Sequence, residues 1–189
     1  DILEAKAQRL KHLTEDVVEA SKISSGNITM EYMNINFVEM INQTTGEFTE
    51  KFEKRNLQIV LNVPEKPVMV RTDGRRMWRV IENIYNNAAK YALEGTRVYA
   101  DLIEKEHTVE FSLKNISEQP LNISADELTE RFIRGDVSRS TEGSGLGLSI
   151  AKNLTELQGG KFELYLDGDL FKVTIVFPKA VVGQSMTKS

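Results

Sequence analysis

The sequence contains no cysteine, so disulfides and thiolate metal sites are excluded, which is compatible with the cytosol without establishing it. It has only two histidines, His12 and His107, and only four prolines. No apolar run approaches the roughly 18 residues that a membrane-spanning helix needs. Excess positive charge is also missing: the net charge of −4 offers no footprint for nucleic acid or for an anionic membrane. What remains is ordinary for a globular chain, with 40% apolar and 28% charged residues. A length of 189 residues suits one domain with an appendage and allows a substantial core. The pattern starts inside a helix at Asp1, as expected for part of a longer protein.

One stretch organises the rest: Glu142-Gly143-Ser144-Gly145-Leu146-Gly147-Leu148-Ser149-Ile150-Ala151-Lys152. It is a glycine-rich turn running into a helix whose apolar face is Leu148, Ile150, Ala151, Leu154 and Leu157. Glycines at alternate positions let a backbone approach a ligand closely. A helix beginning there aims unpaired N–H groups and its positive end forward, which favours anions. The stretch reads as a phosphate cradle, although such glycines also occur in plain loops.

Upstream, residues 1–23 read as a helix. Leu3, Leu10 and Val17 recur at seven-residue intervals, with Leu13 and Ala20 offset by three. This seam fits either a partner helix, upstream or on another subunit, or packing on its own domain. Ser24-Ser25-Gly26-Asn27 ends the helix. A short strand over 28–36, an amphipathic helix over 37–55 and strands at 57–63 and 68–70 follow. Residues 96–104 and 108–115 read as two further strands, and 161–166 and 170–177 as a hairpin across Asp167-Gly168-Asp169. Between them lies a long, weakly periodic segment over 116–143. It has a short helix near 126–132, with Ser124 as its N-cap.

Asp73 to Ala92 is the second informative stretch. Met77, Val80, Ile81, Ile84, Ala88 and Tyr91 lie on one helical face. Asn83 and Asn87, four residues apart, share an adjoining face, whereas Asn86 points elsewhere. Asparagine is a poor helix former, so two on one face suggest a polar task. An amide oxygen is a suitable hard ligand for Mg²⁺, which keeps water and phosphate oxygens as its other ligands. The plainer alternative is that both amides cap backbone or face water.

Taken together, these elements resemble the catalytic and ATP-binding domain of sensor histidine kinases, in the GHKL ATPase superfamily (the Bergerat fold). The resemblance covers about residues 27–178. Asn83-Ile84-Tyr85-Asn86-Asn87-Ala88-Ala89-Lys90-Tyr91 is similar to the family's N box. Glu130-Arg131-Phe132-Ile133-Arg134-Gly135-Asp136 is similar to its F box, and Gly143 to Leu148 to its second glycine box. Residues 1–26 resemble the second helix of a dimerisation and phosphotransfer domain, and 179–189 read as a disordered tail. The implied fold is an α/β (α+β) two-layer sandwich. Its mixed, mostly antiparallel sheet would be covered on one face by helices and preceded by one long helix.

By resemblance, Asn87 would bind Mg²⁺ bridging the phosphates of ATP. Asn83 and Lys90 would line the phosphate side, and Tyr91 would border the nucleotide. The Gly143, Ser144, Gly145, Leu146, Gly147 and Leu148 backbone would cradle the phosphates. Arg134 and Arg139 would sit on a lid within reach of the γ-phosphate, where arginine supplies the charge neutralisation that transfer needs. Asn83 stands where hydrolytic members of the superfamily carry a water-activating glutamate, and an amide is no general base at neutral pH. The resemblance also implies several partners: an upstream helix bearing the acceptor histidine, a response-regulator receiver domain, and a second copy of the full-length protein. It places this portion in the cytoplasm beneath a membrane anchor.

Two departures stand out. The family reads adenine with an Asp-x-Gly-x-Gly box. The matching Asn115-Ile116-Ser117-Glu118-Gln119 has neither aspartate nor glycine. Asn115 still offers a carbonyl oxygen to the adenine amino group but forfeits a charge-assisted bond, worth about 1 kcal/mol. Second, neither His12 nor His107 lies in the family's acceptor pattern, so this chain alone is not expected to autophosphorylate. The competing readings are a nucleotide-dead scaffold, favoured by the altered adenine box, and a serine kinase of the same superfamily, disfavoured by helix 1–23. The segment over about 117–143 has few apolar anchors. Nucleotide should therefore increase its hydrogen-exchange protection, and equal protection with and without ATP would contradict the lid reading.

Overall fold

Residues 2–121, 124, 126–128 and 146–181 of the computed structural model are described below. The chain begins with a 24-residue helix, α1 (Ile2–Ser25), that buries none of its residues. Leu3, Leu10 and Val17 of the expected seam are all exposed. The helix is tied by Ile23, which packs partly buried against the core, and by charge. Glu19 accepts from Arg79 Nε at 2.9 Å and from Arg76 Nη1 at 3.4 Å, and Asp16 pairs with Arg79. His12 is a surface residue beside Gln8, at 3.1 Å.

Strand β1 (Tyr32–Asn36) leads without a break into helix α2 (Phe37–Glu53), whose first turn is capped by Asn36. Phe37, Val38, Ile41, Phe48 and Phe52 face inward, the spacing expected of an amphipathic helix. Strands β2 (Gln58–Asn62) and β3 (Met69–Asp73) follow, and β3 pairs antiparallel with β1. Helix α3 (Gly74–Tyr91) starts on Asp73, and strands β4 (Arg97–Glu104) and β5 (Thr108–Ile116) come next. Helix α4 (Gly147–Leu157) and the hairpin β6 (Lys161–Asp167) and β7 (Leu170–Pro178) complete the described elements.

The main sheet has the order β2-β4-β5-β7-β6, antiparallel throughout except for the parallel β2–β4 pair. Alternation fixes its register. Val98, Ala100 and Leu102 of β4, Val109, Phe111 and Leu113 of β5, and Phe171, Val173, Ile175 and Phe177 of β7 all turn inward. Helices α2, α3 and α4 supply the other half of that core, so the two-layer, mostly antiparallel architecture expected from the sequence is the observed one. Pairing runs past the expected end at 178. Val70 bridges Lys179, and the Ala180 N–H donates to the Met69 carbonyl. Among the described residues no helix is long and apolar enough to cross a membrane.

Asp73 ties the entry of β1 to the first turn of α3. One carboxylate oxygen accepts from the Glu31 N–H at 2.9 Å and the other from the Arg76 N–H at 3.1 Å. Burial alone would raise its pKa, but these N–H bonds and the Arg76 charge together hold it below the usual carboxylate value. The resulting stabilisation is present above the unfolded-state value near pH ~4 and is lost as pH falls through the lower folded-state value. Asp73→Ala should cost about 2 kcal/mol at pH 7, since a cap is lost and a second N–H loses its acceptor. Denaturant unfolding at pH 7 and pH 3 checks this: the gap between variant and parent should narrow at the lower pH.

Candidate functional site

The site grows from the two faces of α3. On the inner face Met77, Val80, Ile81, Ile84, Tyr85, Ala88 and Ala89 are buried. The apolar stripe differs from its sequence spacing: Tyr85 and Ala89 are buried as well, whereas Tyr91 is only half-buried. Tyr85 stacks on Phe111 with ring centroids 6.3 Å apart, lies 5.4 Å from the Phe48 ring, and meets the Thr45 hydroxyl at 2.6 Å. Burial pushes its phenol up to about 12, so it stays neutral and structural.

The adjoining face carries the asparagines. Asn83 is 7% exposed, and its Nδ2 is a buried donor with no partner. Such an orphan is uncommon in a folded core and calls for an explanation. Asn87, one turn on, is half-buried. Asn86 turns away, as expected, and its Oδ1 accepts from Lys51 of α2. Lys90 lies with its Nζ 5.3 Å from the centroid of the Tyr91 ring.

Opposite Asn83 is the start of α4. Its N-cap is Leu146, which makes no side-chain capping bond, and the Ile150 N–H is the first to reach back, to the Leu146 carbonyl at 2.8 Å. The N–H groups of Gly147, Leu148 and Ser149 therefore precede the helical ladder. A Cβ at Gly147 would lie only 3.7 Å from Asn83 Oδ1, so the backbone here passes directly over the asparagine.

A second contact sets this approach. At the far end of α4 the buried Gln158 accepts the Asp73 N–H at 2.9 Å through Oε1, while its Nε2 donates to the Leu154 carbonyl at 3.0 Å. From Asp73 to Asn83 is about 15 Å along α3, and from Gln158 to Gly147 about 16 Å along α4, at ~1.5 Å per residue. The two helices run antiparallel with matched spans, and pinning one end delivers Gly147 to Asn83 at the other.

The exit of β5 closes the third side. Ser117 bridges Ala92, the Leu93 N–H donates to Ile116, and the Glu118 N–H donates to Tyr91. Asn115 is 4% exposed at this exit. Arg55 fastens the seam: its Nη1 donates to the Ala89 and Lys90 carbonyls at 2.7 and 2.8 Å, and its Nη2 pairs with Glu118 at 3.2 Å. Neither Arg55 nor Gln158 was legible as a site residue. Both act across elements distant in sequence, where periodicity carries no signal.

Of the expected site residues, Asn83, Asn87, Lys90, Tyr91, Asn115, Leu146, Gly147 and Leu148 thus lie on α3, the exit of β5 and the start of α4. Gly143, Ser144, Gly145, Arg134 and Arg139, with most of the expected lid, lie outside the described residues. Where the expected lid segment is described it is anchored: Leu128 is buried, and Ser124 Oγ caps the Glu127 N–H at 3.1 Å.

Within this two-layer domain, Asn83 of α3 thus faces a helix start that carries no side-chain cap and opens on Gly147. Comparison with known proteins places the fold. Residues 72–181, more than half of the chain, match the family described as histidine kinase-, DNA gyrase B-, and HSP90-like ATPase. The chain belongs to this family. It is 31% identical over 176 residues to the sensor protein KdpD of Clostridium acetobutylicum, covering 88% of this chain and 19% of that protein. It is 31% identical over 158 residues to the sensor protein VanS of Enterococcus faecium, covering 82% of this chain and 41% of that protein. The chain thus spans less than half the length of these relatives. Among solved structures, the catalytic domain of histidine kinase ThkA superposes with a TM-score of 0.69 at 26% identity, covering 79% of this chain and 97% of that one. The Acinetobacter baumannii histidine kinase AdeS gives 0.74 at 18% identity, covering 93% and 81%, a likeness of fold. The chain is therefore an ATPase-family domain of the histidine-kinase type.

Arg55→Met should lower stability by about 2 kcal/mol, because two charge-assisted bonds to helix carbonyls are lost. Glu118→Gln should cost under about 0.5 kcal/mol, because its ion pair is half-exposed. Chemical denaturation of the two variants distinguishes the roles, and equal losses would assign the seam to the ion pair.

Proposed function

We propose that this domain binds Mg²⁺–ATP and supplies its γ-phosphate to a histidine on a separate helix, for relay to an aspartate of a response-regulator receiver domain. The observation that carries this reading is the orphaned, buried Nδ2 of Asn83, set against the uncapped start of α4 where Gly147 carries no side chain. A buried donor without a partner, beside N–H groups without a ladder, fits a phosphate better than it fits an apolar contact.

The donor set also suits the cation. Among the described residues no three His, Cys, Asp or Glu side chains converge as a metal cluster. The half-buried Asn87 offers one amide oxygen, which suits a small hard cation that keeps phosphate and water oxygens. When bound, Mg²⁺ would neutralise charge on the phosphates. Asn83 would hold them through an amide, a group that orients but takes no proton, so water in the site has no base there. That favours keeping ATP intact until the acceptor arrives. Lys90, three residues past Asn87, would add a positive charge on the phosphate side. Arg134 and Arg139 would close over the γ-phosphate, and Tyr91 would flank the nucleotide. By the same reading residues 1–26 form the second helix of a dimerising phosphotransfer domain, residues 27–178 form the catalytic domain, and the parent protein is anchored to the membrane with this part in the cytoplasm.

Calorimetric titration of a non-hydrolysable ATP analogue, with and without Mg²⁺, tests the reading. The unmutated chain should bind with a Mg²⁺-dependent affinity, and Asn87→Ala should lose that dependence and weaken binding by at least about tenfold. The replacement of aspartate by Asn115 supports a second reading, a scaffold that no longer binds nucleotide. Absence of binding to the unmutated chain would favour it.

A further inference from the structure

We infer that the base end of this site accepts guanine as well as adenine, with the Asn115 carboxamide facing the base edge. The inference rests on the nucleotide reading above and extends it from the phosphates to the base.

Asn83, Asn87 and Tyr91 succeed one another at four-residue steps along α3, spanning about 12 Å at ~1.5 Å per residue. The row starts where Gly147 crosses Asn83 and ends where the Tyr91 carbonyl takes the Glu118 N–H. If phosphates lie at the first end, the other end, at the exit of β5, is where the base would go. Two buried polar side chains wait there, Asn115 at 4% and Ser117 at 8% exposure. Neither side chain hydrogen-bonds to another described residue, yet neither contributes a sealed orphan atom. Their polar atoms therefore keep contact with solvent-accessible space. The backbone around them is committed: Ser117 N–H to Asp169, Glu118 N–H to Tyr91, and Ile116 carbonyl to Leu93. These bonds leave the side chains of Asn115 and Ser117 without a structural task.

Their chemistry is permissive. Adenine presents an amino donor at the position where guanine presents a carbonyl acceptor. An ionised carboxylate only accepts, so it would pair with the first and repel the second. A carboxamide carries a donor and an acceptor and exchanges them by turning over, and the Ser117 hydroxyl also does both. A site that leaves a buried polar group unpaired against the wrong ligand can discriminate by about 10⁴-fold or more. At the position where the two purines differ in sign, Asn115 and Ser117 can pair with either one.

Non-hydrolysable ATP and GTP analogues, each with Mg²⁺, are titrated calorimetrically into the unmutated chain and into Asn115→Asp. The two dissociation constants should agree within about tenfold for the unmutated chain, and the aspartate variant should favour the adenine analogue by at least a further tenfold or so. A preference for ATP above about a hundredfold in the unmutated chain overturns the inference, as does an unchanged ratio in the variant. Asn115→Ala guards against a variant that fails to fold. It should weaken both analogues alike, and unequal weakening also overturns the inference. ATP binding that depends on Asn87 but excludes GTP would leave the phosphate reading standing and remove this one. No binding of either analogue would remove both.

Discussion

The antiparallel seating of α4 on α3 is the constraint on which the site depends. The hydrogen bond from the Asp73 N–H to Gln158 is buried, and leaving such a donor unmet would cost about 1–3 kcal/mol. The alignment of the two helices is therefore specified at one end, and their matched lengths carry it to the other. There the same economics are violated, because Asn83 Nδ2 is buried and unpaired. The inner face of α3 offsets that cost many times over. Met77, Val80, Ile81 and Ile84 are all but fully buried, each worth roughly 1.5–3 kcal/mol. The core can hold a polar group in an unfavourable place, and local rules are most often broken where a site needs them broken.

The forces that hold α1 are of another kind. No residue of α1 is buried, and its apolar seam faces outward. What fixes it is a cluster of partly exposed charges, Asp16 and Glu19 with Arg76 and Arg79, together with Ile23 packed partly buried against the core. Ion pairs of this exposure contribute modestly and weaken with salt. Across the rest of the domain, apolar burial fixes position to within a side chain.

Period and punctuation were enough to read most elements. Asp73 before an apolar helical stripe gave the start of α3, Ser124 gave a cap, and the 167–169 turn gave the β6–β7 hairpin. The asparagine face of α3 was legible for the same reason, since spacing alone places Asn83 and Asn87 together and Asn86 apart. Four-residue spacing could not say that Tyr85 would enter the core, because that depends on Phe48, Phe52 and Phe111 from other elements closing around it. Nor could it find Arg55 or Gln158. Each satisfies a backbone group more than thirty residues away. Such pairs arise from packing, and a local pattern holds no trace of them. The open seam of α1 was visible as a pattern, but its occupant was not.

The exit of β5 shows architecture and chemistry separating. Three backbone bonds and the Arg55 fork position this crossing, and none of them uses the side chain of residue 115 or 117. A crossing held by its backbone tolerates a change of side chain without a change of path. Substituting a carboxamide for a carboxylate there alters which hydrogen bonds the site can offer and removes a charge, while the seam keeps its own partners. Loss of the charge alone would weaken binding of a positively polarised amino group by about 1 kcal/mol, far less than phosphate contacts at the other end can supply. The magnitudes therefore favour the proposed change of base over a dead site, and the buried, unpaired Asn83 beside Gly147 is what the proposed phosphate contacts would use.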